Sequence, residues 1–95
     1  MPVTYVLVAR IPYTGTEAFL RYEGAVLPLL ADHGGRLERR LRSADGTAEV
    51  HVIRFETTDG LHAYRADPRR KQHAPDLEAS GAEIELLEVE DVPTA

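Results

Sequence analysis

Hydrophobic residues recur along this chain with two different periods. Residues 3–11 alternate at period two: Val3, Tyr5, Leu7, Ala9 and Ile11 form one set, and Val6 and Val8 lie in the other. A strand that is apolar on both faces is a central one, covered on both sides. The period then lengthens. Phe19, Tyr22, Val26, Leu29, Leu30 and His33 fall on one face of a helix. A capping box of Thr14 and Glu17 is expected to open this helix, which runs to about His33. Pro28 lies inside it, and its ring would meet the carbonyl of Gly24, four residues earlier. With no side chain at Gly24 a kink is accommodated, and Gly34 supplies the left-handed C-terminal position.

Period two returns at residues 37–43, with Leu37, Arg39 and Leu41 on one face and Arg36, Glu38, Arg40 and Arg42 on the other. Asp45-Gly46 signals a hairpin. Residues 49–55 then give a third strand, with Val50 and Val52 on one face and Ile53 and Phe55 on the other. A two-residue loop pairs Arg42 with Glu49 and Arg40 with His51, and the opposite charges of the first pair favour this register. A three-residue loop would shift every pair by one and exchange the faces. Thr58 or Asp59 caps a second helix holding Leu61 and Tyr64, which Asp67-Pro68 restarts and Pro75 breaks again. Gly81 ends the region. A last strand covers residues 82–89, with a bulge expected at Leu86-Leu87 where the alternation changes phase, and residues 92–95 form a tail.

Strand, helix, strand, strand, helix, strand is the ferredoxin-like α+β arrangement, one domain over residues 1–95 with its ordered part at 3–90. Both helices pack on one face of a four-stranded antiparallel sheet. The first and third strands are nevertheless apolar on both faces. A second copy laid sheet to sheet would cover the open one, giving a homodimer with a barrel-like centre. A monomer with scattered surface hydrophobics is the alternative.

Composition narrows the classes. The chain has 95 residues, 43% hydrophobic and 28% charged, which suits one soluble globular domain. It has no cysteine, which excludes disulfides, thiolate nucleophiles and Cys-based zinc sites. The longest apolar run is far short of the roughly 20 residues of a membrane span. The N-terminal residues show no signal-peptide layout, so a cytoplasmic location is expected. All 11 basic residues lie within residues 1–80, where acidic residues balance them. Glu83, Glu85, Glu88, Glu90 and Asp91 carry the net charge of -5. A neutral body with an acidic end does not suit nucleic acid, which needs a basic stripe.

Phe19-x-x-Tyr22, Pro28, Gly34-Gly35-Arg36, Arg54-Phe55-Glu56, Ala63-Tyr64 and Asp67-Pro68 together resemble the DUF1330 family of the dimeric α+β barrel superfamily. That superfamily includes antibiotic-biosynthesis monooxygenases and EthD-like proteins. The resemblance spans Tyr5 to Val89 and rests on structural corners more than on chemistry. The monooxygenase relatives often carry Trp and His at the positions of Phe55 and Tyr64.

The resemblance implies a small cavity between sheet and helices. If Phe55 faces it, alternation puts Ile53 and His51 on the same side, and Tyr22 and Tyr64 reach it from the helices. His51 is then the candidate general base, Tyr64 an orienting donor and Arg40 an anion stabiliser. Arg39, between two leucines, reaches into the cavity or snorkels at a dimer edge. Each has a plainer reading. His51 can be a strand histidine with a satisfied hydrogen bond, the tyrosines core aromatics, and the arginines guards against edge pairing. His33 suits the end of a helix dipole. No cofactor is implied. The histidines lack zincin spacing, Gly34-Gly35 opens a strand rather than a phosphate-binding helix, and two serines make no triad.

Three functions follow. The first is a cofactor-free homodimeric enzyme performing proton transfer, cyclisation or oxygenation on a compact aromatic or carbonyl metabolite. The second is a non-catalytic binding protein using the same pocket. The third is a structural dimer whose acidic last strand meets a partner.

Overall fold

The structure, a computed structural model, describes residues 1–94. Strand β1 (Val3–Arg10) leads through a short 3-10 turn into α1 (Thr16–Val26). A 3-10 segment (Leu27–His33) connects to β2 (Gly35–Arg42), which turns into β3 (Ala48–Phe55). Three short helices, α2 (Thr58–Ala66), α3 (Pro68–Gln72) and α4 (Ala74–Ser80), precede β4 (Glu83–Val89). The strands form one antiparallel sheet in the order β2-β3-β1-β4, the ferredoxin-like topology read from the sequence. Among the described residues no helix is long and apolar enough to cross a membrane. The expected tail at 92–95 is without regular structure as far as residue 94, and Ala95 lies outside the described residues.

All helices cover one face of the sheet. Tyr5, Ile53 and Phe55 from the strands bury against Leu30, Leu61 and Tyr64, and Ala9 and Ile11 bury against Phe19. The opposite face presents Val6, Val8, Val50 and Val52, half-buried, with Leu41 and Leu87 exposed.

Several local expectations change. The chain enters α1 from a 3-10 turn, so Gly15 rather than Thr14 stands at the cap and no side chain closes a capping box. A Cβ at Gly15 would collide with the Ser80 carbonyl, so this close approach of α1 to α4 requires glycine. Pro28 does not kink one long helix. Lacking an N–H, it ends α-type bonding, and the chain tightens into the 3-10 segment with Pro28 in its first turn. Gly34 caps that segment at φ 69°. Thr57, not Thr58 or Asp59, caps α2, accepting from the Gly60 N–H at 3.2 Å. Pro68 opens a new helix, as the restart there implied, and Pro75, read only as a break, opens another.

The largest change is in the sheet. β4 pairs with β1 without interruption, so Leu86 and Leu87 mark a strand apolar on both faces, not a bulge. The irregularity sits in β2 instead, between Leu37 and Arg39. Leu37 pairs with Ile53 on the helix side, the extra residue Glu38 is skipped, and Arg39 pairs with Val52 on the open side. Beyond it Arg40 opposes His51 and Arg42 opposes Glu49, the register of the tighter hairpin.

Candidate functional site

A cavity of about 650 Å³ lies between the sheet and the helices. Its floor is apolar, made by Tyr5 and Leu7 of β1, Ile53 and Phe55 of β3, and Leu86 of β4. His51 extends the β3 row. Tyr22 and Glu23 descend from α1, Tyr64 from α2 and Arg70 from α3. His51 is 0% exposed, Glu49 1% and Glu23 3%, so three ionisable groups are buried together.

Glu49 organises this group. Its carboxylate accepts from Arg40 Nε at 2.7 Å, from Arg42 Nη2 at 2.9 Å and from His51 Nε2 at 2.8 Å. Burial opposes its ionisation, but the hydrogen bonds from Arg40, His51 and Arg42 outweigh it and hold the carboxyl at about 2. An ionised carboxylate only accepts, so Nε2 carries the imidazole proton and Nδ1 keeps a lone pair. That Nδ1 has no hydrogen-bond partner among the described residues. Burial lowers the His51 pKa, against the hydrogen bond and charge of Glu49, and keeps the ring neutral.

The Oε2 of Glu23 lies 3.9 Å from that nitrogen, just beyond hydrogen-bond reach. Burial, opposed by the charge of Arg40 and reinforced by that of Glu49, pushes the Glu23 carboxyl up to about 7. Glu23 therefore holds and releases a proton at neutral pH beside a neutral imidazole with a free lone pair. That pairing suits general acid–base chemistry.

The roof is fixed by a second set of contacts. Tyr64 donates to the Val26 carbonyl at 3.1 Å, and burial raises its hydroxyl to about 12. The Arg70 guanidinium stacks 4.5 Å from the centre of the Tyr64 ring and donates from Nη2 to the Tyr22 hydroxyl at 2.8 Å. Below them, His33 Nε2 lies 2.8 Å from Asp67 Oδ2. Asp67 caps α3 through the Arg69 N–H at 2.8 Å, so this contact ties the 3-10 segment to the helical wall. Hydrogen bonds from Arg69 and then His33 hold Asp67 well below the usual carboxylate range.

His51, Tyr64, Tyr22, Ile53 and Phe55 therefore all line one cavity. Arg40 and Arg39 do not. Arg40 has its guanidinium committed to Glu49, so it positions the Glu49–His51 pair instead of meeting a substrate anion. Of the two places expected for Arg39, the cavity is excluded: it is on the opposite face of the sheet because the extra residue at Glu38 reverses the alternation. Glu23, Glu49 and Arg70 escaped the sequence reading. Glu23 carried a signal: four residues after Phe19 and three before Val26, it interrupts the apolar face of α1 with a carboxylate. Among the described residues no group of His, Asp and Glu side chains gathers to hold a metal ion.

No protein-family model matches the chain, and no curated protein matches it. Solved structures do. SnoaB, a cofactor-independent oxygenase from Streptomyces nogalater, superposes with a TM-score of 0.74 at 21% identity, over 96% of this chain and 95% of its own. A candidate antibiotic biosynthesis monooxygenase from Caulobacter crescentus CB15 gives 0.73 at 11% identity, over 95% and 91%. A NIPSNAP family protein from Agrobacterium tumefaciens gives 0.66 at 17% identity, over 99% and 94%. The chain has the α+β fold that these proteins share.

Proposed function

We propose that this protein is a small-molecule enzyme that moves a proton on a compact carbonyl or aromatic compound, with His51 Nδ1 as the acceptor. One observation carries this: a neutral imidazole, its tautomer set by Glu49, keeps an unpartnered lone pair in the wall of a cavity of about 650 Å³. Protonation at Nδ1 creates an imidazolium that the Glu49 carboxylate stabilises directly. Protonated, Glu23 supplies a hydrogen bond to the oxyanion that develops on the substrate; ionised, it takes the abstracted proton from His51 Nδ1 and carries it onward. The resulting carbanion or enolate is the species that isomerisation, cyclisation and cofactor-free oxygenation have in common. SnoaB, an oxygenase without cofactor on the same fold, supports an enzymatic reading. The DUF1330 residues, chiefly corners such as Gly34-Gly35 and Asp67-Pro68, support the frame and not the chemistry.

Acetophenone in D2O provides the test, since loss of its methyl proton signal by NMR reports enolisation. His51→Gln keeps a planar polar group and should slow exchange about a hundredfold or more. Catalysed exchange unchanged in that variant overturns the assignment. Binding without turnover is the second reading, favoured by the nearly complete burial of His51 and Glu23. A ligand that binds without any catalysed exchange identifies it.

The homodimer belongs to the same proposal. The open sheet face carries an apolar centre of Val6, Val8, Val50 and Val52, flanked by Arg36 and Arg39 on the β2 edge and Glu83 and Glu85 on the β4 edge. A two-fold related copy can lay its acidic edge on the basic one while the valines meet. Light scattering should give twice the 10.5 kDa chain mass, and Val52→Glu should return it to 10.5 kDa. A wild-type monomer at micromolar concentration overturns this part.

A further inference from the structure

Two buried side-chain atoms lack hydrogen-bond partners among the described residues: His51 Nδ1, an acceptor, and Arg70 Nε, a donor. Both residues line the same cavity. The proposed proton transfer uses the first and leaves the second unexplained. Arg70 is otherwise committed: Nη2 to the Tyr22 hydroxyl at 2.8 Å, Nη1 to the Arg65 carbonyl at 3.4 Å, and one face of the guanidinium to the Tyr64 ring. No carboxylate among the described residues forms an ion pair with it. Tyr22, 4% exposed, accepts that one hydrogen bond, and its own hydroxyl proton has no acceptor among the described residues.

The result is a pair of unspent donors joined through the Arg70–Tyr22 hydrogen bond and carried by a cation, on residues that line a cavity with an apolar floor. Buried donors left unpaired are unfavourable and are normally satisfied. Two neighbouring donors on a singly charged support match the two oxygens of a carboxylate. A phosphate dianion would ask for more donors and charge than this wall offers. The remaining walls, including Leu7, Ile53, Phe55 and Leu86, suit a hydrocarbon body, and the volume is that of a small-ligand pocket.

We infer that the ligand of this cavity is a compact apolar monocarboxylate, one oxygen accepting from Arg70 Nε–H and the other from Tyr22 O–H. This rests on the cavity being the ligand site and names the class of molecule it takes. Arg70 and Tyr22 are binding residues, distinct from the His51–Glu49–Glu23 proton machinery.

Calorimetric titration of the full chain with benzoate and with benzyl alcohol, its neutral near-isostere, tests it. Benzoate should bind at least about tenfold more tightly than the alcohol. Arg70→Met should weaken benzoate by about tenfold to a hundredfold and the alcohol much less. Tyr22→Phe keeps the ring and loses only the donor, so it should weaken benzoate by about threefold to tenfold even if Arg70→Met fails to fold. Equal binding of the two probes, no benzoate binding to the wild type, or an unaltered preference in Tyr22→Phe overturns the inference. Acetophenone carries no charge, so its proton exchange decides the catalytic reading separately. Exchange without benzoate preference removes the carboxylate alone, and benzoate preference without exchange removes the catalysis alone.

Discussion

Replacing Glu23 by Gln should make the protein more stable at neutral and alkaline pH, although Glu23 is a buried residue at the centre of the site. The carboxyl ionises at about 7 in the fold against an ordinary 4.5. Its folded-state pKa is raised, so its contribution to stability is fully present below pH 4.5 and is lost as pH rises through about 7. The loss amounts to about 3 kcal/mol, from the two pKa values and about 1.4 kcal/mol for each decade. Glutamine mimics the protonated acid and escapes the loss. At pH 5 the variant should lead by only about 1 kcal/mol. At pH 8 the variant should lead by up to about 3 kcal/mol, which in a domain this small corresponds to more than about 10 °C in Tm. The groups facing Glu23 are Arg40 from β2, Glu49 and His51 from β3, Arg70 from α3 and the hydroxyls of Tyr22 and Tyr64. All are retained, and the difference between the two proteins isolates residue 23. Urea denaturation at half-unit steps from pH 4.5 to 8.5 measures it. A flat difference across that range, or a variant weaker at pH 8, would refute the account of Glu23 as a carboxyl held neutral by burial.

Three further outcomes are expected. Glu49→Gln leaves Arg40 and Arg42 without their shared anion and should lower stability at pH 7 by about 2 kcal/mol in urea titrations, discounting the full cost of a broken buried pair because both arginines are partly exposed. Glu49 ionises at about 2 instead of 4.5, so its contribution is present above pH 4.5 and disappears as pH falls toward 2, and the gap between wild type and variant should close over that window. Gly34→Ala, at φ 69°, should cost about 1 kcal/mol by thermal denaturation through strain alone. Tyr64→Phe removes the hydrogen bond to the Val26 carbonyl and should cost about 1 kcal/mol in the same assay, with the Phe55 and Arg70 contacts of the ring preserved.

The order of the elements was legible because the breaks between them are chemically marked. Gly34 and Gly81 adopt left-handed conformations, Asp45-Gly46 turns the hairpin, and Pro68 and Pro75 each open a helix. The hairpin register was legible from charge, since Arg42 does oppose Glu49. Period two also grouped His51 with Ile53 and Phe55 on one face, which the structure turns toward the helices. What escaped was of two kinds. The bulge at Glu38 has no signature residue, because an exposed arginine-rich edge strand tolerates an extra residue without a glycine, and with it the side of Arg39 was lost. Arg70 sits in the run Arg69-Arg70-Lys71, and nothing in such a run says which member will turn inward. That is decided by where Tyr22 and Tyr64 arrive from other helices. Glu49 read as half of a strand ion pair, and only the third dimension shows that His51 shares its carboxylate.

The skipped residue in β2 acts on side chains as a frameshift acts on codons. Before it, a substitution at an odd-numbered position alters the helix-covered layer; after it, the even-numbered positions do so. Deleting Glu38 would therefore restore a single frame without moving a side chain: with the hairpin pairing kept, Leu37 would still oppose Ile53, Arg39 would still oppose Val52, and Gly35 would keep its place against Phe55. The loose residue lets the two halves of the edge strand vary independently. One half can be reshaped for the cavity's rim while the other keeps the arginines that steady Glu49.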